Sequence, residues 1–310
     1  MKTNKWITFS FMLIAAAAFL FSGCKKDRKD DLSSESVSLQ QLSKDEVNVQ
    51  NASDEALNDA NAVLSGGNQK STEMFPCHAT IDSTSVINDT ITIYITYNGP
   101  DCRNKFIRTG QVEVRKRVGT HWWQPGATVM VHMIDFTITR ISNGKSMTLN
   151  GTKTFQNVTG GCIWQLGNGL TSIIHKTWGT VEATFDDNTI RTWNIARQRT
   201  FTGTPFNLVM TIDGFGTAGE YDKLVVWGIN RHGEEFYTQI TQSVVHKQLC
   251  DMDPCSGIKI HQIPSKEKSA TITFGYNDNN EPVTGDECPT RFRVDWVKGN
   301  NSGTLYLPLH

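Results

Sequence analysis

Thr90-Ile91-Thr92-Ile93-Tyr94-Ile95-Thr96-Tyr97 alternates polar and apolar side chains and then stops at Asn98-Gly99-Pro100. Successive side chains of a strand point to opposite faces, so this period of two predicts a strand with one face buried and the other wet. Gln111-Val112-Glu113-Val114-Arg115-Lys116-Arg117-Val118 repeats the pattern ahead of Gly119. It continues over residues 127–138, 147–155, 180–185, 207–212, 223–227 and 236–240. Asn143-Gly144, Asp186-Asp187-Asn188, Asp213-Gly214 and Arg231-His232-Gly233 place turn residues between these runs. After residue 70 no run carries the period of an amphipathic helix of about three turns. Strands joined by tight turns without helical crossovers predict an all-β antiparallel fold, either a sandwich or a long twisted meander, over residues 73–310.

Upstream of these strands the grammar differs. Lys2 and Lys5 precede an apolar run over residues 6–21 that only Thr8 and Ser10 interrupt, the layout of a secretory signal. The run is shorter than the ~20 residues that span a bilayer comfortably. Ser22 and Gly23 stand before Cys24, and this small-small-Cys ending resembles the lipobox of bacterial lipoproteins. The resemblance implies a signal peptide over 1–23, lipidation of Cys24 and attachment to a membrane through acyl chains. A simple cleaved signal and a short membrane span are the alternatives. Residues 24–72 form a polar tether rich in Ser, Asn, Asp, Gln and Lys, too poor in apolar surface to fold alone. Within it Ala56, Leu57, Ala60, Val63 and Leu64 follow Ser53-Asp54-Glu55 at helical spacing and end at Gly66-Gly67, which predicts one short helix.

Thirty basic and 31 acidic residues leave a formal charge of -1, so nucleic acid is not an expected partner. Beyond Cys24 the cysteines are Cys77, Cys102, Cys162, Cys250, Cys255 and Cys288, an even number in a chain addressed to an oxidising compartment. Disulfides are expected, and zinc is the weaker alternative because no histidine stands at finger spacing from a cysteine. A weak repeat bears on the pairing. Cys77 precedes Thr90-Ile91-Thr92-Ile93, Tyr97-Asn98 and Cys102, while Cys255 precedes Ala270-Thr271-Ile272-Thr273-Phe274, Tyr276-Asn277 and Cys288. Read as two related hairpins over 77–118 and 255–297, the repeat predicts Cys77 with Cys102, Cys255 with Cys288 and, by remainder, Cys162 with Cys250.

The order Thr90-Ile91-Thr92-Ile93 with a cysteine, Arg108-Thr109-Gly110-Gln111-Val112, Asn150-Gly151-Thr152-Lys153-Thr154 and Pro254-Cys255-Ser256-Gly257, followed by a strand with a terminal cysteine, is similar to a group of uncharacterised lipoproteins common in Bacteroidota. The similarity covers roughly residues 75 to 300. In that group the Gly-Thr-Lys-Thr type motif follows a strand of the kind seen at Asp135-Phe136-Thr137-Ile138, whereas the long loop over 277–287 departs from its pattern. The group carries no assigned activity. The resemblance implies the outer membrane of a Gram-negative bacterium, with the periplasmic and cell-surface faces both open.

Motifs for chemistry fail on context. Gly214-Phe215-Gly216-Thr217-Ala218-Gly219 spells a dinucleotide fingerprint, but Glu220-Tyr221-Asp222-Lys223-Leu224-Val225-Val226 reads as a strand where a helix N-terminus is required. Gly144-Lys145-Ser146 resembles the end of a phosphate loop whose first glycine is replaced by Thr139. Neither a His-Glu-x-x-His pair nor a Gly-x-Ser-x-Gly elbow occurs. His121, His132, His175, His232, His246 and His261 are scattered, and Asp278, Asn280, Glu281, Asp286 and Glu287 follow no calcium-loop spacing. No cofactor, metal site or catalytic residue is therefore predicted.

Two features suggest contact with sugars. Trp122-Trp123 stands beside Gln124-Pro125-Gly126, and adjacent side chains on a strand cannot both be buried by one face, so this pair is the candidate for stacking on a glycan. Asp82-Ser83-Thr84 and Asp89-Thr90-Ile91 resemble the triplets at which Bacteroidota O-glycosylate exported proteins, which nominates Ser83 and Thr90. The expected function is that of a membrane-anchored, non-catalytic structural or interaction module with an unassigned glycan or protein partner. A glycan-binding surface lipoprotein comes next and a hydrolase with a dispersed site third.

Overall fold

The computed structural model describes Ala56, Asp59 and residues 76–83 and 86–309. The chain divides into two compact units, 1–41 and 42–310, and all described residues belong to the second. The signal peptide, Cys24 and the expected helix near residues 53–65, apart from Ala56 and Asp59, lie outside the described residues.

The fold is all-β. Its strands are β1 (Ala79–Ser83), β2 (Thr90–Pro100), β3 (Phe106–Arg117), β4 (Ala127–Arg140), β5 (Ser146–Asn157), β6 (Ser172–Phe185), β7 (Ile190–Thr204), β8 (Asn207–Gly214), β9 (Gly216–Ala218), β10 (Tyr221–Ile229), β11 (Glu235–Lys247), β12 (Pro254–Ile263), β13 (Lys268–Tyr276), β14 (Arg291–Lys298) and β15 (Asn301–Pro308). They form one sheet in which neighbours in sequence are neighbours in space, with a single irregularity between β7 and β11. There β10 pairs with the first half of β7 and β8 with the second, and the same division recurs on β11. The strands β8 and β10 therefore act as one return strand, broken in the middle by the short β9 hairpin.

The alternation that predicts the strands also builds the core. Ile93, Ile95 and Tyr97 of β2 are buried, as are Val112 and Val114 of β3, and they join one cluster with Leu149, Phe155, Val181, Trp193, Phe236 and Ile240. Strand β4 buries Ala127, Val129, Val131 and Met133, then changes phase to Phe136 and Ile138. A bulge between Met133 and Phe136 makes the switch, with Asp135 in the left-handed region at φ 48. Opposite it, Gly110 at φ 89 has no room for a Cβ, which would run into the Asp135 carbonyl oxygen.

The Gly151-Thr152-Lys153-Thr154 stretch lies inside β5. Gly151, at φ 139, lets the backbone of β6 approach so closely that a Cβ would strike the Thr180 carbonyl. Lys153 is 2% exposed and lies with its Nζ 5.3 Å from the Trp193 ring, while the Arg191 guanidinium, 1% exposed, lies 4.6 Å from the Phe236 ring. Arg108, 2% exposed, likewise lies 4.9 Å from the Tyr97 ring, so among the described residues at least three buried cations stand on aromatic faces, an arrangement the electrostatics of the rings favours.

Among the described residues two disulfides are present. Cys77–Cys102, with Cα atoms 5.2 Å apart, closes the first hairpin as the repeat predicts. Cys288 pairs with Cys250 at a Cα separation of 5.3 Å, not with Cys255, and Cys162 is consequently not joined to Cys250. Cys162 and Cys255 are free thiols. The reason for the correction is the long connection 277–290. It folds back over the end of β11, where Lys247 Nζ donates to the Gly285 carbonyl at 3.1 Å and meets Asp286 at 3.5 Å, so Cys288 arrives beside Cys250. Cys255, one residue into β12, is buried beneath the ladder.

Candidate functional site

Because every strand runs against its neighbour, the connections fall alternately at two ends of the sheet. One end carries the connections 101–105, 141–145, 186–189, 230–234, 264–267 and 299–300, and the other carries 84–89, 118–126, 158–171, 205–206, 248–253 and 277–290. The ends differ in chemistry as well as in length. At the short-loop end 101–105, 141–145, 186–189, 230–234 and 264–267 each include a charged residue; at the other end 118–126, 158–171 and 205–206 contain no Asp, Glu, Lys or Arg, while 84–89, 248–253 and 277–290 carry acidic residues but no Lys or Arg.

These uncharged loops are knitted together. The Asn157 side-chain amide donates to the Trp122 carbonyl at 2.8 Å and the Gly161 carbonyl at 3.1 Å, and its oxygen accepts from the Gly160 N–H at 2.9 Å. The Gly161 N–H donates to the Trp123 carbonyl at 2.8 Å. A 3-10 turn over Ile163–Gln165 follows, closed by the Gln165 side chain accepting from the Cys162 N–H at 2.9 Å. Gly167 abuts Thr204 at the β7–β8 hairpin, and the Leu208 N–H donates to the Gln248 side chain at 2.9 Å, which carries the contact chain to 248–253. Beneath lies a small core of Leu166, Ile173, Phe201 and Leu208.

Above that core several large apolar side chains stand in the open. Phe206 is 93% exposed, Trp164 72%, Leu249 62% and Trp123 53%, with Ile163 also exposed. The adjacent pair nominated for sugar stacking divides. Trp122 turns inward and packs edge-on against His175 at 5.2 Å, while Trp123 faces outward, stacked on His121 at 4.3 Å. The exposed tryptophans of this end are thus Trp123 and Trp164, from neighbouring loops. Trp193 and Trp296 are buried core residues.

Two polar groupings escaped the sequence reading, because strand register alone assembles them. Tyr94, Glu113 and His132 are direct cross-strand partners on β2, β3 and β4. The Glu113 carboxylate, 5% exposed, accepts from Arg115 Nε at 2.7 Å and the Tyr94 hydroxyl at 3.5 Å, and lies 3.3 Å from His132 Nδ1. A carboxylate beside a histidine can orient an imidazole for proton transfer, and Thr152 is the next cross-strand partner of His132. On the core face Arg197, Arg199 and Lys259 bear on His246, and Arg199 on His175. Burial first and these cations second hold both imidazoles below their ordinary range, His175 at about 4, while the bond from His246 Nδ1 to the Met252 carbonyl opposes the shift. This face therefore gathers arginine and lysine around two histidines whose protonation is disfavoured.

The remaining nominated residues are placed individually. Ser83 is exposed at the end of β1, and Thr90, partly buried at the start of β2, donates its hydroxyl to the Asn88 carbonyl at 3.3 Å. Gly214 to Gly219 builds the β9 hairpin, with the Trp227 ring against Gly216 and strand β10 following where a cofactor would need a helix. Gly144-Lys145-Ser146 is the β4–β5 turn. In the 277–290 connection the Asn277 side chain accepts from the Asn279 and Glu281 N–H groups, Thr290 donates to Asp278, and Arg291 donates to Asn280, so local turn bonds occupy much of the acidic stretch. Among the described residues no group of three or more His, Cys, Asp and Glu is arranged to hold a metal ion.

Comparison with family models, with curated proteins and with solved structures returns no match.

Proposed function

We propose that the protein is an exported, lipid-anchored interaction module of the outer membrane that binds through the long-loop end of its sheet and performs no catalysis. One observation carries this reading: the most exposed aromatic side chains, Phe206, Trp164 and Trp123, project from uncharged loops at a single end. Large apolar groups gathered in the open at one end are costly in water and mark binding surfaces. The signal-like start and Cys24 supply the address, and the similarity to Bacteroidota lipoproteins supplies the setting.

A photocrosslinking residue in place of Trp164, compared with one in place of Ser142 at the opposite end, tests the reading in intact cells. Adducts are expected from position 164 and not from 142. Equal labelling at both ends, or labelling at 142 alone, refutes the assignment of the binding end.

A second reading, glycan binding, has the outward Trp123 ring in its favour, since a flat face braced by His121 is suited to stacking on a sugar. A glycan array probed with wild-type and Trp123→Ala protein tests it. Selective binding lost in the variant supports it, and an empty array removes it.

A further inference from the structure

We propose that the long-loop end docks onto the surface of a lipid bilayer, with Trp123, Ile163, Trp164 and Phe206 seated at the boundary between headgroups and acyl chains. The proposal rests on the choice of binding end made above and names its partner.

The chemistry of the loops selects the occupant. The connections 118–126, 158–171 and 205–206, which carry the apolar tips, hold no Asp, Glu, Lys or Arg, and the acidic groups of this end lie in the separate connections 84–89, 248–253 and 277–290, so a charged protein surface would find no partner on the tips themselves. A sugar needs convergent hydrogen-bonding groups beside its stacking ring. Phe206 and Ile163 bring none, and Phe206 stands 93% exposed beside Pro205 at the tip of a two-residue hairpin connection. A bilayer asks only for apolar bulk, with tryptophan favoured at the interface itself. The apolar tips also come from separate loops that brace one another through Asn157, Gly161 and Gly167, so they present preset wedges that need little ordering on insertion.

The tether permits this orientation. The polypeptide joins β1 at the short-loop end, since Ala79 pairs with Tyr97 near the close of β2. Residues 24–55 reach roughly 110 Å if fully extended, whereas the 14 residues of β4 span about 48 Å at strand rise. Either end of the sheet can therefore face a membrane in which Cys24 is anchored. Absence of basic residues from the inserting loops gives the docking a signature: it needs no anionic lipid and is not abolished by salt, unlike the polybasic mode of membrane attachment.

The test uses residues 42–310, the compact unit, which lacks both the signal and Cys24. It is floated with phosphatidylcholine vesicles, with and without phosphatidylglycerol, at low and high salt, and its tryptophan emission is quenched by brominated lipid. Binding to neutral vesicles is expected, not enhanced by anionic lipid and not abolished by salt. W164S/F206S is expected to weaken partitioning about a hundredfold, roughly tenfold for each large apolar side chain withdrawn from the membrane. Its circular dichroism and melting temperature should match the wild type because both side chains are exposed. No flotation with neutral vesicles, binding that needs anionic lipid and disappears in salt, or undiminished binding by the variant each overturns the proposal. So does a wild-type dimer in solution that the variant abolishes, which would assign the surface to a second copy of the chain. If vesicles fail to bind while position 164 still crosslinks a cellular partner, the binding end stands and the bilayer falls. If both fail, the binding end falls too.

Discussion

Asp59 Oδ2 lies 2.8 Å from Arg108 Nη1 and, at the same distance, accepts the Tyr97 hydroxyl, tying the chain ahead of the sheet to β2 and β3. Arg108 is 3% exposed at its side chain and Asp59 17%, so the pair is largely removed from water. Removing one member of a buried pair strands the other and costs about 3 kcal/mol or more, whereas replacing both with apolar groups is often close to neutral. Asp59→Ala should therefore lower unfolding free energy by roughly 3 kcal/mol in a urea titration. Asp59→Leu combined with Arg108→Met should recover most of that loss. If Asp59→Ala unfolds at the wild-type urea midpoint, the pair contributes nothing to holding this junction.

His175 should contribute a large part of the acid limb of stability, with His246, also lowered by burial, adding in the same direction. Burial between Trp122 and Phe201, aided by Arg199, lowers the His175 pKa from 6.5 to about 4. The folded form resists a proton that the unfolded chain accepts, so the stabilisation is full above pH 6.5 and is lost as pH falls toward 4. The shift corresponds to at most about 3 kcal/mol. Asp59 runs the other way: burial raises its carboxyl pKa, outweighing the Tyr97 and Arg108 contacts that lower it, so acidification relieves rather than adds to its cost. His175→Gln should flatten the decline in stability between pH 6.5 and 4 while Asp59→Asn leaves the decline in place. Denaturant midpoints across that range decide, and an unchanged slope in His175→Gln rules the assignment out.

Much of this architecture is readable in particular residues. Ile93, Ile95 and Tyr97 announce their buried face by alternation, and Glu220 to Val226 betrays a strand where the glycine-rich fingerprint would need a helix. Adjacent Trp122 and Trp123, nominated together as a stacking pair, divide in the structure, Trp122 packing on His175 and Trp123 on His121, which their order in the sequence does not specify. The phase change in β4 is not readable, because a bulge at Asp135 leaves Met133 and Phe136 on one face against the simple period. Buried Lys153 and Arg191 are equally hidden, since charge ordinarily signals the wet face and only Trp193 and Phe236 around them say otherwise. Glu113 and His132 meet by register, which no local pattern encodes. The uncharged stretches 118–126 and 158–171 are plain in the sequence, but their meeting at one end follows only from the order of the strands.

The thiols should separate by access. Cys162 is partly exposed and Cys255 buried, with both disulfides intact. Alkylation of residues 42–310 without reductant should add one group in the folded state, at Cys162, and a second only after denaturation. Reaction at Cys162 should be slow at neutral pH, because burial raises its thiol pKa and thins the thiolate. Cys288→Ser should lower stability by about 2–4 kcal/mol through loss of its bridge to Cys250. Peptide mapping that finds Cys255 joined to Cys288 would contradict this pairing.

The bulge opposite Gly110 should be the backbone's least forgiving point. Gly110 sits at φ 89, and a Cβ there meets the Asp135 carbonyl and lies 3.0 Å from the Ile134 carbonyl oxygen, so strain and collision act together. Backbone atoms of a paired strand cannot yield as a flexible side chain would. Gly110→Ala should cost about 2–4 kcal/mol in a urea titration, combining left-handed strain with overpacking. Asn150 supports the bulge, accepting the Asp135 N–H at 2.7 Å and donating to its carboxylate at 3.1 Å, so Asn150→Ala should cost about 1 kcal/mol. Asp135→Gly removes that carboxylate contact yet relaxes a non-glycine φ of 48, so its net effect should stay within about 1 kcal/mol. This ranking distinguishes a required bulge from an incidental one. If Gly110→Ala unfolds within about 0.5 kcal/mol of wild type, β3 and β4 can slide past the collision, and the phase change that buries Phe136 does not depend on Gly110.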